Sequence, residues 1–556
     1  VARSWILLAG VWVGLVGGNG ALAPAQEAGA GTSANAGKSA AAAAPVKKTC
    51  TVNSVAPTPA ETALSRKEYS SAESLFRAVL AKSPSSDPVH EGLVRALIEQ
   101  NKVTDAAKDA EAWVTAEPGN SLALVALGDV RLRQGDPSEA YGQFQLALKA
   151  NLCDARAYYG IAEVDRLAGL HASGRRLIDQ AYALHPTDDD IHTAWISTRR
   201  RKERLQKLTD YAEHSEQIGD EDKANLKMRL EKESLYHTSD CRMAATSPRE
   251  ATVPMIAVTD GPYRFLGWGL DVKFNGQRRR LQIDTGASGI TISRAAAMFL
   301  GIKREDATLT GGIGDKGKVK TSITHVASIK IGGMEFTNCP VEILEKWSVL
   351  DSDGLIGGDV FDDSQLTLDF PKHELRVAPL PDRPGEKKTT QSLDTAGDGE
   401  IVEAHDPYVA PEMSKWLHIY RSGHELLIPG GIVETKRVKD MNAWKNTLFL
   451  LDTGADSNLI SPAAAALVTK VSRDSYVDIR GVSGQVNKVF EAGKFTLAFG
   501  NLRLDSPSMT SIDITDISHG AGVEVSGLIG APALFQVVMH IDYRDNLVWC
   551  EYTAKQ

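Results

Sequence analysis

Two short stretches of the 556-residue sequence set a carboxylate on a glycine-bearing turn. Asp284-Thr285-Gly286-Ala287-Ser288 follows the strand-like run Gln277 to Ile283 and precedes Ile290-Thr291-Ile292. Asp452-Thr453-Gly454-Ala455-Asp456-Ser457 follows Thr447 to Leu451 and precedes Leu459-Ile460. One Asp-Thr-Gly carries little weight, because average residue usage throws up an accidental triplet in every several chains of this size. Two of them, each after an apolar strand and before an Ala and an apolar pair, mark carboxylates placed for acid–base work. Metal chemistry is not indicated. The five cysteines (Cys50, Cys153, Cys241, Cys339, Cys550) have no Cys-x-x-Cys spacing, and His185 and His192 have no partners at ligand spacing.

The elements around the two aspartates repeat with them. Asp284 and Asp452 are 168 residues apart, as are Gly332 and Gly500 in two strand-turn segments. Gly354-Leu355-Ile356-Gly357 matches Gly527-Leu528-Ile529-Gly530 at 173, and Leu368-Asp369-Phe370 matches Ile541-Asp542-Tyr543 at the same spacing. One insertion in the second copy, between Gly500 and Gly527, accounts for the difference. The C-terminal half is therefore an internal duplication of a β-rich unit, 251–381 and 413–556, joined by a Pro/Gly/charge-rich linker over 382–412. Within the first unit, Leu270 to Phe274, Asn275-Gly276 and Gln277 to Ile283 predict a hairpin with a two-residue turn.

Asp-Thr-Gly-Ala after an apolar strand, a glycine-bearing hairpin, then an apolar-apolar-Gly segment resembles an aspartic protease lobe. Each copy has the size of a retropepsin-like subunit, and Phe449-Leu450-Leu451-Asp452-Thr453-Gly454-Ala455-Asp456 is especially similar to retropepsins. The resemblance implies two mostly-β lobes forming a pseudo-dimer, with Asp284 and Asp452 as a catalytic dyad around one water. Carboxylates that close cannot both ionise easily, so the pair holds one proton. The ionised member takes a proton from water while the protonated one polarises the scissile carbonyl. By the same resemblance Thr285 and Thr453 cross-brace the loops, and Gly286 and Gly454 remove Cβ beneath the carboxylates. Leu355-Ile356 and Leu528-Ile529 pack below. Neither metal nor other cofactor enters this chemistry.

Gly312-Ile313-Gly314 and Gly481-Val482-Ser483 are expected as the tips of two flaps that close over a peptide. Asp456 is expected to contact substrate backbone, with Ser288 in the corresponding place of the first copy, so the site would be asymmetric. Neither copy keeps the late Gly-Arg-Asn or Gly-Arg-Asp of retroviral enzymes, which bears on how the lobes pack. Whether lobes pair within one chain or with a second chain stays open. Two imitations are set aside. Gly312 to Gly317 fits a dinucleotide fingerprint, but Lys318 to Ile331 alternates as a strand where that motif needs a helix. Asp394-Thr395-Ala396-Gly397 is broken by an Ala and lies in the linker.

The N-terminal half reads as helix. Small residues recur every 34 positions at Ala72, Ala106, Ala140 and Gly174. They are followed by Phe76, Ala110, Phe144 and Ile178, and then by Pro84, Pro118, Leu152 and Pro186. Val94, Gly128 and Ala162 mark the partner helix, with Asn101, Gly135 and Gly169 in its turn. This pattern resembles tetratricopeptide repeats and predicts an all-α solenoid over 57–205, followed by a charged helical spacer over 206–250. Such a solenoid serves either as a spacer or self-association module or as a docking groove for a protein partner or substrate. The cluster Arg199 to Arg204 reads as a solvated helix face.

Arg3, the apolar run Trp5 to Val16 and the Ala-x-Ala site near residue 25 predict an export signal over 1–25. The run is short for a span of about 18–20 residues, so no membrane span is expected after cleavage; an uncleaved anchor is the alternative. Val1 is read as a literal start codon, with little expected upstream. Residues 26–56 are a low-complexity tether. The net charge of −9 excludes a dedicated nucleic-acid binder. The expectation is an exported bacterial-type aspartic endopeptidase, periplasmic or extracellular, acting on peptide or protein. The alternative is an inactive protease-fold peptide-binding or scaffold protein.

Overall fold

A computed structural model describes residues 13–15, 50–220, 222–224, 226–227, 230, 241–260, 264–303, 306–315, 317, 319–345, 353–384, 406–473, 477 and 479–553. The rest of the expected leader, the tether up to residue 49 and residues 385–405 of the expected linker, with the Asp394 triplet, lie outside these residues.

Paired helices run from Pro59 to His214 and form an all-α solenoid. The residues spaced by 34 sit where the helices touch: Ala72, Ala106, Ala140 and Gly174 are buried. The Phe144 ring lies between Gly128 and Gly160, filling the space a Cβ would take on either, and Phe76 does the same at Gly92. Helix starts are closed by side chains of Asn120, Asp136, Asp154 and Asp188, which accept from backbone N–H groups of the first turn. Asn101, Gly135 and Gly169 take positive φ in the connecting turns. The helix Arg201–His214 crosses the boundary expected at residue 205 and packs Leu208 and Tyr211 against Ile196.

A β-rich region follows. Arg264–Phe274 and Gln277–Asp284 pair through the Asn275-Gly276 turn, both of whose residues have positive φ. Val319–Ile331 is a long strand rather than a helix, so no dinucleotide turn forms at Gly312. Strands of the first copy, with Arg242–Met243 from just before it, make a nine-stranded sheet, and those of the second an eleven-stranded one that includes Val13–Leu15 at an edge. The duplication is visible in the pairing. Gln277–Asp284 runs parallel to Gly354–Gly357, which is antiparallel to Ile290–Ser293. Lys445–Leu451, Gly527–Ile529 and Leu459–Ile460 repeat that arrangement.

A third, six-stranded sheet joins the copies. Ser364–Asp369 pairs antiparallel with Val537–Asp542, with Leu368 opposite Met539, and each continues into its own hairpin partner, Glu374–Pro379 or Leu547–Tyr552. Leu366, Leu368, Met539 and Ile541 bury the shared face. Cys50 is bonded to Cys153 and Cys241 to Cys339, while Cys550 is free and buried.

The solenoid docks on the second copy by its turns. Asn101 Nδ2 donates to Thr515 Oγ1 (3.4 Å), the Gly135 turn lies against Glu524 and Leu448, and the Gly169 turn lies against Asn546 and Pro407. Arg133 pairs with Glu524 at 3.3 Å. Leu167 is buried within the second copy's apolar cluster beside Leu427, Leu448 and Leu450. Among the described residues, no helix is long and apolar enough to cross a membrane.

Candidate active site

Each Asp-Thr-Gly triplet leaves its strand in mid-sheet, beside the parallel strand that carries Leu355 and Ile356 or Leu528 and Ile529, all four of which are buried. The loops meet across the join between the copies. Thr285 N–H donates to Thr453 Oγ1 and Thr453 N–H donates to Thr285 Oγ1, both at 3.1 Å. The hydroxyls pass the bond on, Thr285 Oγ1 to Leu451 O (2.6 Å) and Thr453 Oγ1 to Ile283 O (2.9 Å). Every polar group of the four-bond ring is thereby satisfied inside a buried contact.

This ring brings Asp284 and Asp452 into hydrogen-bond contact. A Cβ on Gly454 would lie 2.3 Å from Asp284 Cγ, and one on Gly286 3.0 Å from Asp452 Cγ, so only glycine lets the carboxylates approach. Gly286 N–H donates to Asp284 Oδ1 (2.8 Å); Gly454 and Ala455 N–H both donate to Asp452 Oδ1 (3.0 Å each). Burial, then the Asp452 charge and the hydrogen bond to it, push Asp284 well above the usual carboxylate range. Burial also raises Asp452, but the hydrogen bond from Asp284 and the Ala455 and Gly454 amides oppose it. Burial thus acts to raise both members of the pair, and the Asp452 charge and hydrogen bond raise Asp284 further, so the two carboxyl groups titrate as a pair.

The expected flap residues face one another. Arg480–Gly481 and Gly484–Gln485 form a hairpin whose turn is Val482-Ser483. Asp306–Thr310 pairs with Val319–Ile331 to carry the other tip. Ser483 N–H donates to Ile313 O (2.9 Å), Asp315 N–H to Gln485 O (3.1 Å) and Asn487 N–H to Asp315 Oδ2 (2.8 Å). Gly312 lies against Val482 and Gly314 against the Ser483 backbone. Asp456 is adjacent to the dyad, where its charge acts to raise Asp452, and it accepts from Ser457 Oγ (3.3 Å). Ser288 Oγ instead donates to Asp359 Oδ2 (2.8 Å), which also accepts from Gly289 N–H.

The two copies also meet at Gly358, where a Cβ would lie 2.1 Å from Tyr543 Oη of the second copy. Arg421 covers the Tyr543 ring and donates from Nη1 to its carbonyl (2.7 Å). Two further residues beside the dyad were not anticipated. His424 Nε2 donates to Gly286 O (3.1 Å), and Gln282 Nε2 donates to Gly454 O (2.9 Å) and to Leu266 O (3.0 Å). Gln282 carries a signal: it is a buried amide at the position where the second copy has Leu450. His424, on the turn between Tyr420–Ser422 and Glu425–Val433, carries none. Among the described residues no group of three His, Cys, Asp or Glu could hold a metal ion.

Residues 270–360 match the aspartyl protease family, and residues 60–121 and 125–189 match the tetratricopeptide repeat. No curated protein matches the chain. Among solved structures, the aspartic proteinase from Irpex lacteus is similar at 12% identity and a TM-score of 0.34, over 55% of this chain and 98% of that one. A thermophilic TPR protein from Thermus thermophilus is similar at 21% identity and a TM-score of 0.24, over 30% of this chain and 91% of that one. The chain thus carries a tetratricopeptide-like helical region fused to a β-rich region homologous to aspartic proteases.

Proposed function

We propose that the chain is an aspartic-type endopeptidase whose two β units act as the lobes of a pseudo-dimer within one chain. The observation that carries this reading is the contact of Asp284 with Asp452, held by the reciprocal Thr285 and Thr453 bonds. Asp452, ionised, takes a proton from a water between the two carboxyl groups. Asp284, protonated, donates to the scissile carbonyl, and the water oxygen adds to its carbon. The proton taken by Asp452 then goes to the leaving nitrogen as the C–N bond breaks, and one hydroxyl of the gem-diol returns its proton to Asp284, restoring the pair. The tips at Gly312 to Gly314 and Gly481 to Ser483 part to admit a peptide and close over it, with Asp456 and Ser288 beside its backbone. The chain is exported, and its solenoid presents the face away from the second lobe to substrate or partner.

The test is cleavage of an unfolded protein by the full chain across about pH 3 to 8, beside Asp284→Asn and Asp452→Asn. The parent should cut and both variants fail. A mixture of the two variants should stay inactive, because each chain supplies its own pair. A parent that cuts nothing but binds peptide would replace the peptidase reading with a peptide-binding module.

A further inference from the structure

Behind each carboxylate lies one peptide group held at both ends. In the second copy Ala455 N–H donates to Asp452 Oδ1 (3.0 Å), and the carbonyl of that same peptide, Gly454 O, accepts from Gln282 Nε2 of the first copy (2.9 Å). In the first copy Ala287 N–H donates to the Asp284 main-chain carbonyl (3.1 Å) and also acts on the Asp284 carboxyl group, and the carbonyl of its peptide, Gly286 O, accepts from His424 Nε2 of the second copy (3.1 Å). Because a carbonyl can only accept, His424 carries its proton on Nε2. We propose that His424 and Gln282 are positioning residues for Asp284 and Asp452, each acting from the opposite copy through the peptide group that donates to the carboxylate.

The physical basis is cooperativity. A peptide whose carbonyl accepts a hydrogen bond becomes a stronger N–H donor, and in a buried site this polarisation is little screened. Each side chain thus stabilises the ionised form of the aspartate beyond the peptide and fixes the tilt of its loop. Gln282 is buried and also donates to Leu266 O, so its amide cannot swing away. His424 is faced by Asp359 and by Arg421 of its own hairpin. Asp359 grips Ser288 Oγ and Gly289 N–H, so the Asp284 loop is held on both sides.

This inference rests on the peptidase reading for its kinetic consequences but not for its titration. In the full chain, His424→Ala should lower kcat about threefold to tenfold, the worth of a hydrogen bond, with KM changed less than about twofold. The alkaline limb of the pH–rate profile, which reports the Asp284 proton, should move up by about half a unit. His424→Gln, which keeps a donor at that reach, should restore both. Gln282→Leu should move the acid limb up instead, because it acts on Asp452, and it carries the test if His424→Ala does not fold. The same shifts are read without turnover from the infrared carboxyl bands, with Asp284→Asn and Asp452→Asn as references. Folded variants whose limbs and carboxyl titrations match the parent overturn the proposal, as does a His424→Gln that rescues nothing. If the parent cuts no substrate yet the titrations shift as described, the braces stand and the peptidase reading alone falls.

Discussion

Thr285 and Thr453 each hold the other's backbone N–H at 3.1 Å, from positions 168 residues apart. Both hydroxyls also donate to the strand opposite, so loss of one leaves an N–H and a carbonyl unpaired in a buried site. Thr285→Val is expected to cost about 1–3 kcal/mol or more in urea unfolding and to abolish cleavage, whereas Thr285→Ser keeps most of both. Equal behaviour of the two variants would show that the methyl packing, not the hydroxyl, matters.

Stability should fall with pH through Asp284. Unfolded, its carboxyl has the ordinary value; folded, burial and the Asp452 charge hold it well above that. The folded chain binds this proton more tightly, so the contribution is complete below the unfolded value and is lost as pH rises toward the folded one. Asp284→Asn removes the dependence. It should therefore exceed the parent in stability by about 1–3 kcal/mol near neutral pH and differ little near pH 3. Urea midpoints at both pH values decide it.

The join between copies turns on Gly358 and Tyr543. Gly358→Ala would set a methyl 2.1 Å from the Tyr543 hydroxyl, which is buried without a hydrogen-bond partner among the described residues. The clash should cost about 1–3 kcal/mol. Tyr543→Phe removes the offending oxygen, so the double variant should recover part of the loss, and a double-mutant cycle gives the coupling. Additive effects would place the strain elsewhere.

What the sequence discloses here follows the range of the interaction. The solenoid is legible because each repeat needs its small residue at every thirty-fourth position, a local requirement written at Ala72, Ala106 and Ala140. The Asn275-Gly276 turn is legible for the same reason: only such residues take positive φ cheaply. The two aspartates stand out because a duplicated unit repeats its landmarks. The six-stranded sheet, the two disulfides and the docking of the solenoid have no such mark, since each is made by residues from distant parts of the chain. His424 illustrates this limit. Its one bond to Gly286 depends on where two hairpins meet, and a histidine in a polar turn reads as any other. Gln282 was readable in principle, because an amide amid Leu281 and Ile283 needs partners wherever it is buried.

The turns at Asn101, Gly135 and Gly169 recur every 34 residues and all rest on the second copy, so the solenoid is fixed to it by three successive repeats. Leu167 fills the second copy's apolar cluster, and Leu132 packs beside it, next to Leu448 and Leu450 of the strand that leads to Asp452. Loosening this contact should therefore be felt in that strand as well as in the helix. Leu167→Ala is expected to cost about 2–5 kcal/mol and to raise amide exchange together in Ala155–Leu167 and Lys445–Leu451. Arg133→Ala, which leaves Glu524 half-buried without its partner, should do so more weakly. Exchange that rises in the helix alone would mean that the solenoid can release from the second copy without disturbing the strand beneath the candidate site.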